Sequence, residues 1–400
     1  MARSILVQMF IILISCCLVS CNNNKEIASP TTAALPVPPP ETKTHLDTSV
    51  KPKPGKLRKI FIVSSYHPEY LWSQDTNEGV CGALLKYGYF DNVAQAEEFT
   101  RNYYIKTTHA EIKKVWMDTK RKSSTTDIAA ATKRITTEIN NFKPDILLLG
   151  DDNAAKYIGN IYLDTDLPVV FWGINGAPLN YGLLDSLEKP GHNITGIYQA
   201  GYMLENLVQL KKLIPSIKTF AILSDDSETG RAKAKEIKNL AEAKKLPLTL
   251  VDTVITNSFS EWKTRALELQ KRVDAFFVLN HNTIKDDNGQ PVDQLEIGSW
   301  YLKNIKKPEC AHEKQFGVEG MLSVIDDSGY KQGYEAVKML YTILEEGRRP
   351  AELPTTAPEQ GPFIVNRERA KMLGLVLTND MGIEEYIDNA LALKRFPNPR

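Results

Sequence analysis

Short apolar runs that end abruptly in polar residues recur along this chain. The clearest lies in residues 143–155, KPDILLLGDDNAA, where an Ile/Leu run stops at a glycine, two aspartates and an asparagine. A short apolar run bounded by Pro144 and Gly150 predicts a strand buried on both faces, as in a parallel sheet. The polar residues after it are helix-capping types, so residues 154–163 are predicted to be a helix. Residues 167–172, LPVVFW, give a second buried strand.

The same alternation predicts two α/β lobes. In the first half it predicts strands at 59–64, 89–102, 145–149 and 167–172, with helices at 75–87, 127–140 and 154–163. In the second half it predicts strands at 218–224, 248–253, 273–280 and within 314–325, with helices at 203–213, 230–245, 259–272 and 329–346. Two such runs indicate two doubly wound lobes with mostly parallel sheets and a ligand cleft between them.

The chain divides into five predicted segments. These are a lipoprotein signal peptide at 1–20, a flexible tether at 21–57, an N-terminal lobe at 58–197, a C-terminal lobe at 198–327, and a segment at 328–400 that crosses back between the lobes. No Pro- or Gly-rich linker separates the lobes, so the crossover near residues 194–200 is predicted to be a short hinge that permits closure around a ligand.

The N-terminus has the pattern of a bacterial export signal. Arg3 precedes an apolar run, residues 5–19, that is shorter than the roughly 20 residues of a membrane-spanning helix. The following LVSC resembles a lipobox, in which Cys21 would receive lipid; a plain signal peptide or an uncleaved anchor is the alternative. By analogy with such proteins, Asn22 favours the outer membrane where one exists. Residues 22–57 are rich in Pro, Thr, Ser and Lys, as in an extended tether.

Composition excludes some function classes. With 49 basic and 49 acidic residues the formal net charge is zero, which argues against non-specific nucleic-acid binding. No G-x-S-x-G, phosphate-binding loop or dinucleotide fingerprint is present, so we expect neither an enzyme nor a bound cofactor. No H-E-x-x-H or paired C-x-x-C indicates a metal site. In the mature chain, Cys81 and Cys310 form either one disulfide or two buried thiols, and we favour the buried thiols.

Polar and aromatic residues cluster after the predicted strands, where α/β sheets bind ligands. The candidate binding residues are Ser65, Tyr66, Trp72, Asp151, Asp152, Asn153, Asn175, Asn280, His281 and Asp326, with Ser64 and Asp327 beside them. Aromatic walls suit a flat or apolar ligand, and carboxylates and amides orient its polar ends. The alternatives are ordinary helix caps for the aspartates, lobe packing for the aromatics, and a solvated or locally satisfied loop residue for the histidine.

In their order along the chain, these segments resemble ABC transporter substrate-binding lipoproteins of the type that includes tryptophan and tyrosine binders. The resemblance covers residues 58 to about 380 and is carried by KPDILLLGDDNAA, LPVVFWGIN, PGHNITG, KKLIPSIKTFAILSD, VDAFFVLN, GYKQGYEAVKMLYTILEEGRRPAELP and FIVNRERAKMLGL. It implies a type I periplasmic-binding fold, a small-molecule ligand, a permease and ATPase complex as partner, and a membrane anchor through Cys21.

One position departs from the family pattern. Many members place a threonine before the alanines at the helix start, where it helps to hold a ligand carboxylate, whereas this chain has Asp151 and Asp152. Two carboxylates there should repel an anion. The sequence therefore predicts a ligand with an amine, a guanidinium or several N–H or O–H donors, amino-acid-like or purine-like. The loop SYHPEYLWSQDTNEGV resembles a subgroup of extracytoplasmic sensors, so a ligand sensor for a membrane signalling protein is the alternative function.

Overall fold

The structure, a computed structural model, describes residues 51–175 and 178–399. The predicted signal peptide, the lipidation site Cys21 and most of the tether lie outside these residues. One sheet contains the strands β1 Arg58–Ser64, β2 Tyr104–Lys106, β3 Ala110–Trp116, β4 Ile146–Gly150, β5 Val169–Ile174 and β6 Ile194–Tyr198. A second sheet contains β7 Thr219–Ser224, β8 Thr249–Ile255, β9 Ala275–Val278, β10 Glu309–Ala311, β11 Ser323–Ile325, β12 Phe363–Asn366 and β13 Glu385–Ile387.

Both sheets are mostly parallel and doubly wound, which confirms the predicted fold class. The strand orders are β2-β3-β1-β4-β5-β6 and β13-β12-β11-β10-β9-β7-β8. Neighbouring strands pair parallel except β2 with β3 and β11 with β12. We call the part built on the first sheet the N-terminal lobe and the part built on the second the C-terminal lobe.

Helices pack on both faces of each sheet. They are α1 Leu71–Lys86, α2 Val93–Asn102, α3 Thr125–Phe142, α4 Asp151–Asn153, a π-helical segment Ala154–Gly159, α5 Asn160–Tyr162, α6 Met203–Leu213, α7 Glu228–Glu242, α8 Phe259–Leu269, α9 Gln294–Asn304, α10 Lys314–Glu319, α11 Gly329–Glu346, α12 Arg367–Met372 and α13 Leu391–Arg395. Short 3-10 turns lie at Pro178–Tyr181, Pro350–Glu352 and Asn379–Met381.

The side chains of β1 show how the first sheet is covered. Ile60 and Ile62 join a buried cluster that includes Val80 of α1 and Leu340 of α11. Phe61 and Val63 point to the opposite face, where they join the cluster that contains α3. Because successive strand residues point to opposite faces, an unbroken apolar strand requires a helix layer on each side.

The chain passes between the sheets three times within the described residues. It leaves the first sheet after β6, returns after β11 to place α11 against α1, and leaves again before β12. The predicted hinge at 194–200 is largely strand β6 itself, and the first crossing begins at Gln199. Ser328 caps α11 by accepting a hydrogen bond from the backbone N–H of Lys331 (3.2 Å).

In the N-terminal lobe one predicted strand was wrong and one strand was missed. Residues 89–102 were expected to form a strand, but α2 occupies most of them because Asn92 caps a helix by accepting from the backbone N–H of Gln95 (3.1 Å) and Phe99 packs inward. The neighbouring strand of the sheet is instead β3, AEIKKVW, in which Lys114 is buried. This strand was not predicted because it contains charged residues.

Both cysteines of the described chain are buried free thiols, as we favoured from the sequence. Burial raises the pKa of Cys81 and, more strongly, that of Cys310. None of the helices formed by the described residues is both long enough and apolar enough to span a bilayer.

Candidate functional site

The strand orders fix where a ligand would bind. In the first sheet, β1 lies between β3 and β4, so the chain winds away from the β1/β4 pair in both directions; in the second, the equivalent pair is β7 and β9. A crevice opens at the carboxyl ends of strands at such a switch point, and ligands bind there. The loops that follow these four strands contain most of the candidate residues.

The turn after β4 holds Asp151 in a strained conformation. Its φ of 68° lies in the left-handed region that non-glycine residues rarely adopt. Its Oδ1 accepts a hydrogen bond from Trp72 Nε1 (2.7 Å), which joins two of the predicted site residues. Gly173 lies against this carboxylate, and a Cβ there would be 2.6 Å from Asp151 Oδ1. Burial, and then the charge of Asp152, raises the pKa of Asp151 well above its usual range, although the Trp72 hydrogen bond opposes the shift.

Ser65, rather than an aspartate, supports the start of the following helix. Ser65 Oγ accepts from the backbone N–H of Ala154 (2.8 Å) and donates to Gly150 O (2.6 Å). Asp151 and Asp152 make hydrogen bonds to groups outside this helix. Asn153 Nδ2 donates to Thr119 Oγ1 (2.8 Å). Ser65 and Asn153 therefore help to hold the turn, and the aspartate side chains point elsewhere.

Asp152 connects the two lobes. Its Oδ1 accepts from the backbone N–H of Asn175 (3.0 Å) and from the Tyr181 hydroxyl (2.9 Å). Its Oδ2 accepts from the hydroxyl of Thr229, on α7 of the C-terminal lobe (3.1 Å). The Tyr66 hydroxyl forms a hydrogen bond with the hydroxyl of the same Thr229 (3.3 Å). The structure thus brings Tyr66, Asp152 and Asn175 together at the cleft.

An aromatic group closes one side of the cleft. Tyr66, Tyr70 and Trp72 form a separate buried cluster, with the rings of Tyr66 and Tyr70 edge to face at 5.2 Å. The ammonium of Lys120, itself buried, lies 4.5 Å from the Tyr66 ring centroid and 5.6 Å from that of Tyr70. This geometry is a cation–π arrangement, so the cluster already surrounds a positive charge.

Asp225 and Asn280 stand at the switch point of the C-terminal lobe. Asp225 Oδ2 accepts from the backbone N–H groups of Asn282 (2.8 Å) and Thr283 (3.0 Å). Burial alone would raise the pKa of Asp225, but the Lys120 ammonium and several hydrogen bonds outweigh burial and lower it. Tyr70 donates to Asn282 Oδ1 across the lobes (3.2 Å).

Glu313, after β10, contributes another buried carboxylate. It accepts a hydrogen bond from Gln315 and another from Gln199 Nε2 (3.3 Å). Gln315 Nε2 also donates a hydrogen bond to the Tyr70 hydroxyl (3.1 Å). Burial opposes its ionisation, but the neighbouring His312, the Gln315 hydrogen bond and Lys233 lower the pKa of Glu313. Asp225 and Glu313 are therefore anions within the interface of the lobes.

Two predicted residues lie apart from this group. His281 is buried, and both of its ring nitrogens are hydrogen-bonded, Nδ1 with Leu279 O (3.0 Å) and Nε2 with Glu319 (2.8 Å). Its ring packs against Trp262 and Phe316 of the C-terminal lobe. Asp326 lies at the second crossing and accepts from the backbone N–H of Lys314 (3.3 Å). Burial, and then the charge of Asp75, raises the pKa of Asp326 to about 7.

Four side-chain amide oxygens around the cluster are buried without a hydrogen-bond partner among the described residues. They belong to Asn175, Gln199, Asn280 and Gln315. A buried acceptor without a donor costs roughly 1–3 kcal/mol, so natural structures seldom leave several together. These four oxygens are acceptors that neither of the buried ammonium groups of the cluster, Lys120 and Lys233, satisfies.

Several residues of this group were not predicted. Asp225 follows a predicted strand directly and satisfies the rule used for Asp151, so it was available from sequence. Lys120 follows β3, the strand that was missed. Lys233, in the predicted helix 230–245, is fully buried, and its ammonium has no hydrogen-bond partner in the described chain.

No group of three or more His, Cys, Asp or Glu side chains within residues 51–175 and 178–399 is arranged to hold a metal ion. The cluster contains no serine, threonine or cysteine paired with a histidine base as acyl-transfer chemistry requires. What the described geometry offers is hydrogen-bond acceptors beside aromatic rings, which suit a small molecule that has hydrogen-bond donors and an aromatic or apolar part.

Known proteins resemble this chain in sequence. A family model described as ABC transporter substrate binding protein matches residues 106–385. A tyrosine-binding protein of Clostridioides difficile (strain R20291) is 25% identical over 245 residues, which are 61% of this chain and 67% of that protein.

Solved structures resemble it in fold. The ABC domain from Streptococcus pneumonia in complex with L-Trp has a TM-score of 0.64 at 21% identity, covering 83% of this chain and 100% of that one. The ligand-free, open structure of a substrate-binding protein with adhesive properties from Clostridium difficile has a TM-score of 0.59 at 21% identity, with the same coverage.

Proposed function

The chain belongs to the family of ABC transporter substrate-binding proteins, and from this premise we propose that it is a lipid-anchored extracytoplasmic receptor that closes on a small, amine-bearing, amino-acid-like ligand and passes it to an ABC importer. The family is a class of binding proteins rather than of enzymes. The proposal places the ligand between the switch points of the two lobes.

The chemistry of the cleft supports an amine. Four carboxyl groups, those of Asp151, Asp152, Asp225 and Glu313, are buried in or beside the aromatic cluster, and four amide oxygens near them lack donors. An ammonium has three N–H donors and a positive charge, so it would satisfy both features. This excess of acceptors is the observation that carries the proposal.

The contacts between the lobes support closure as the binding mechanism. Thr229 bonds to Asp152, Tyr70 bonds to Asn282, and Lys156 pairs with Glu228 (2.9 Å), and each contact joins the two lobes. A ligand that contacts both lobes adds to these bonds only when the lobes are together. It therefore shifts the protein toward the closed form by its differential affinity for that form.

Calorimetric titration of the purified protein tests the ligand class. We expect tyrosine, tryptophan or their amines, tyramine and tryptamine, to bind, with adenine as the purine probe and indole-3-acetate as an acid that lacks an amine. At 100-fold excess over Kd, a true ligand stabilises the fold by about 2.7 kcal/mol, which thermal unfolding detects. Tight binding of indole-3-acetate with none of the amines would overturn the proposal.

The lipid anchor rests on the lipobox LVSC that ends at Cys21. Metabolic labelling with a fatty-acid analogue should mark the full chain and not the Cys21→Ser variant. Ligand-dependent co-purification with a permease and ATPase complex supports delivery to an importer. Co-purification with a membrane kinase or cyclase instead would assign the protein to sensing.

A further inference from the structure

A cavity of about 600 Å³ lies at the mouth of the cleft, outside the buried carboxylates. The N-terminal lobe contributes Lys156, Tyr157 and Tyr181 to its lining, and the C-terminal lobe contributes Glu228, Arg231 and Lys235. We call it the outer basic cavity. Because both lobes line it, a molecule bound there would contact both of them.

The charge of this cavity is opposite to that of the cleft behind it. Three cationic side chains line it against one carboxylate, Glu228, which pairs with both Lys156 (2.9 Å) and Arg231 (3.2 Å). Arg231 also pairs with Asp226 (2.6 Å), so the excess charge of the cavity is that of Lys235. Lys235 is exposed and has no ion-pair partner among residues 51–175 and 178–399. The cavity thus keeps a positive excess that suits a carboxylate or a phosphate.

The outer basic cavity and the cleft share a wall. The ring of Tyr181 lines the cavity, and its hydroxyl donates to Asp152 Oδ1 (2.9 Å). On the other lobe, Glu228 lines the cavity and the adjacent Thr229 donates to Asp152 Oδ2. The Lys156 ammonium lies 5.4 Å from the Tyr157 ring centroid and 5.6 Å from that of Tyr181. A flat molecule lying along Tyr181 would therefore extend from Asp152 toward Lys156.

We propose that the outer basic cavity is a second subsite of the ligand site, which binds an anionic group at the end of the ligand opposite its amine. The ligand class is then an elongated zwitterion: an amine at the buried carboxylates, an aromatic or apolar body beside Tyr181, and a carboxylate or phosphate at the cavity. This inference rests on the proposed function, because it takes the amine end from it.

Four probes that differ at one end test the inference. Phenethylamine carries the amine alone, 4-(2-aminoethyl)benzoate adds a carboxylate at the far end of the ring, tyramine O-phosphate adds a phosphate there, and 4-ethylbenzoate carries the anion alone. Calorimetric titration at low salt should show about tenfold tighter binding of one of the two zwitterions than of phenethylamine. Which zwitterion gains more distinguishes carboxylate from phosphate.

Variants of α7 assign that gain to the cavity. Lys235→Gln should reduce the preference for the zwitterion by about three- to fivefold, which is the range for one partly exposed charge pair, and should leave phenethylamine binding unchanged. Lys238→Gln is the matched control, since Lys238 is exposed on the same helix and does not line the cavity. Added salt should diminish the preference, because exposed charges are screened.

The outcomes separate this inference from the proposed function. Equal binding of phenethylamine and both zwitterions would overturn the outer subsite and leave the amine site standing. Binding of 4-ethylbenzoate that is lost in Lys235→Gln, without any gain for the zwitterions, would make the cavity an independent anion site and would also overturn the proposal. Failure of every amine to bind would overturn both.

Discussion

Buried carboxylates occupy two kinds of surroundings in this protein. Away from the cleft, two of them face an arginine: Glu309 pairs with Arg369 (2.8 Å), and Glu345 pairs with Arg58 (2.8 Å). The remaining donors of Arg369 reach backbone oxygens, including those of Leu302 (3.1 Å) and Ile305 (3.0 Å). In these core pairs every guanidinium and carboxylate has a counter-charge and hydrogen bonds.

The carboxylates in the cleft have different surroundings from these arginine pairs. Asp151 and Asp152 follow one another and accept hydrogen bonds from an indole, hydroxyls and a backbone amide. Amide oxygens beside them have no donor in the described chain. In the core pairs the fold therefore supplies each carboxylate with a counter-charge. In the cleft, Lys120 and Lys233 compensate only part of the buried acceptors, and on our proposal a ligand supplies the rest.

The core pairs should dominate stability. Glu309→Gln keeps the side-chain shape but leaves the Arg369 charge buried without a counter-charge. We expect the free energy of unfolding, measured by urea denaturation, to fall by as much as about 5 kcal/mol. Replacing both residues by apolar ones of similar size, as in Glu309→Leu with Arg369→Met, should recover much of the loss. An unchanged unfolding midpoint in Glu309→Gln would contradict the view that the fold depends on this pairing.

Asp326 should make the stability of the fold depend on pH. Its pKa rises to about 7 in the fold, whereas an unfolded aspartate has a pKa of about 3.9. The folded state therefore holds a proton that the unfolded state releases, so stability should be full below about pH 4 and should decline as the pH rises to about 7. The total loss is at most about 4 kcal/mol, at roughly 1.4 kcal/mol per pKa unit.

Asp326→Asn removes this titration and keeps an oxygen for the Lys314 amide. The variant should be more stable than the natural protein at pH 8 and equal to it at pH 4, as measured by thermal unfolding across that range. Parallel stability curves for the two proteins would show that Asp326 does not titrate in this way.

The sequence predicted the parts of this molecule that depend on local pattern. Residues 146–150 and 169–174 form buried strands because unbroken Ile, Leu, Val and Phe runs suit a sheet covered on both faces. The helix 203–213 was predicted with the bounds that the structure shows, because its apolar spacing indicates a helix and Pro215 indicates where it ends. The fold class follows from the order of these elements.

Partners across the lobes could not be predicted in the same way. The position of Lys120 depends on β3, a strand that was not predicted because it contains lysines. Lys114 can be buried in β3 because its ammonium donates a hydrogen bond to Asn77 (2.8 Å) and lies over the Trp116 ring. Thr229 bonds to Asp152 only because two lobes meet, and no spacing in the sequence encodes that contact. Asp225 and Glu313 carry strand-end signals, but their charge balance depends in part on Lys120 and Lys233, which are distant in the sequence.

Removal of charge in the cleft should affect ligand binding far more than stability. Asp152→Asn keeps the shape and one oxygen, so we expect the free energy of unfolding to change by less than about 1 kcal/mol. Loss of a charged hydrogen bond should weaken binding of tryptamine by about 10- to 100-fold, or roughly 1.5–3 kcal/mol. Calorimetric titration measures this, with Asp166→Asn, an exposed aspartate of the same lobe, as control. Equal tryptamine affinity in Asp152→Asn and the control would remove Asp152 from the site.

The ion pair between Lys156 and Glu228 should give the smallest effect. Both side chains are about one-third exposed (33% and 31%), so solvent screens the pair, and its contribution to closure should not exceed about 1 kcal/mol. We expect Lys156→Gln to weaken phenethylamine binding by about two- to fourfold at low salt and to have no effect at 1 M salt. Phenethylamine has no anionic end, so this measures the contact between the lobes and not the outer basic cavity. Glu228→Gln should produce the same loss, and the double variant should add nothing, because either change alone removes the pair. Additive losses would show that the two residues act separately and that their ion pair does not assist closure.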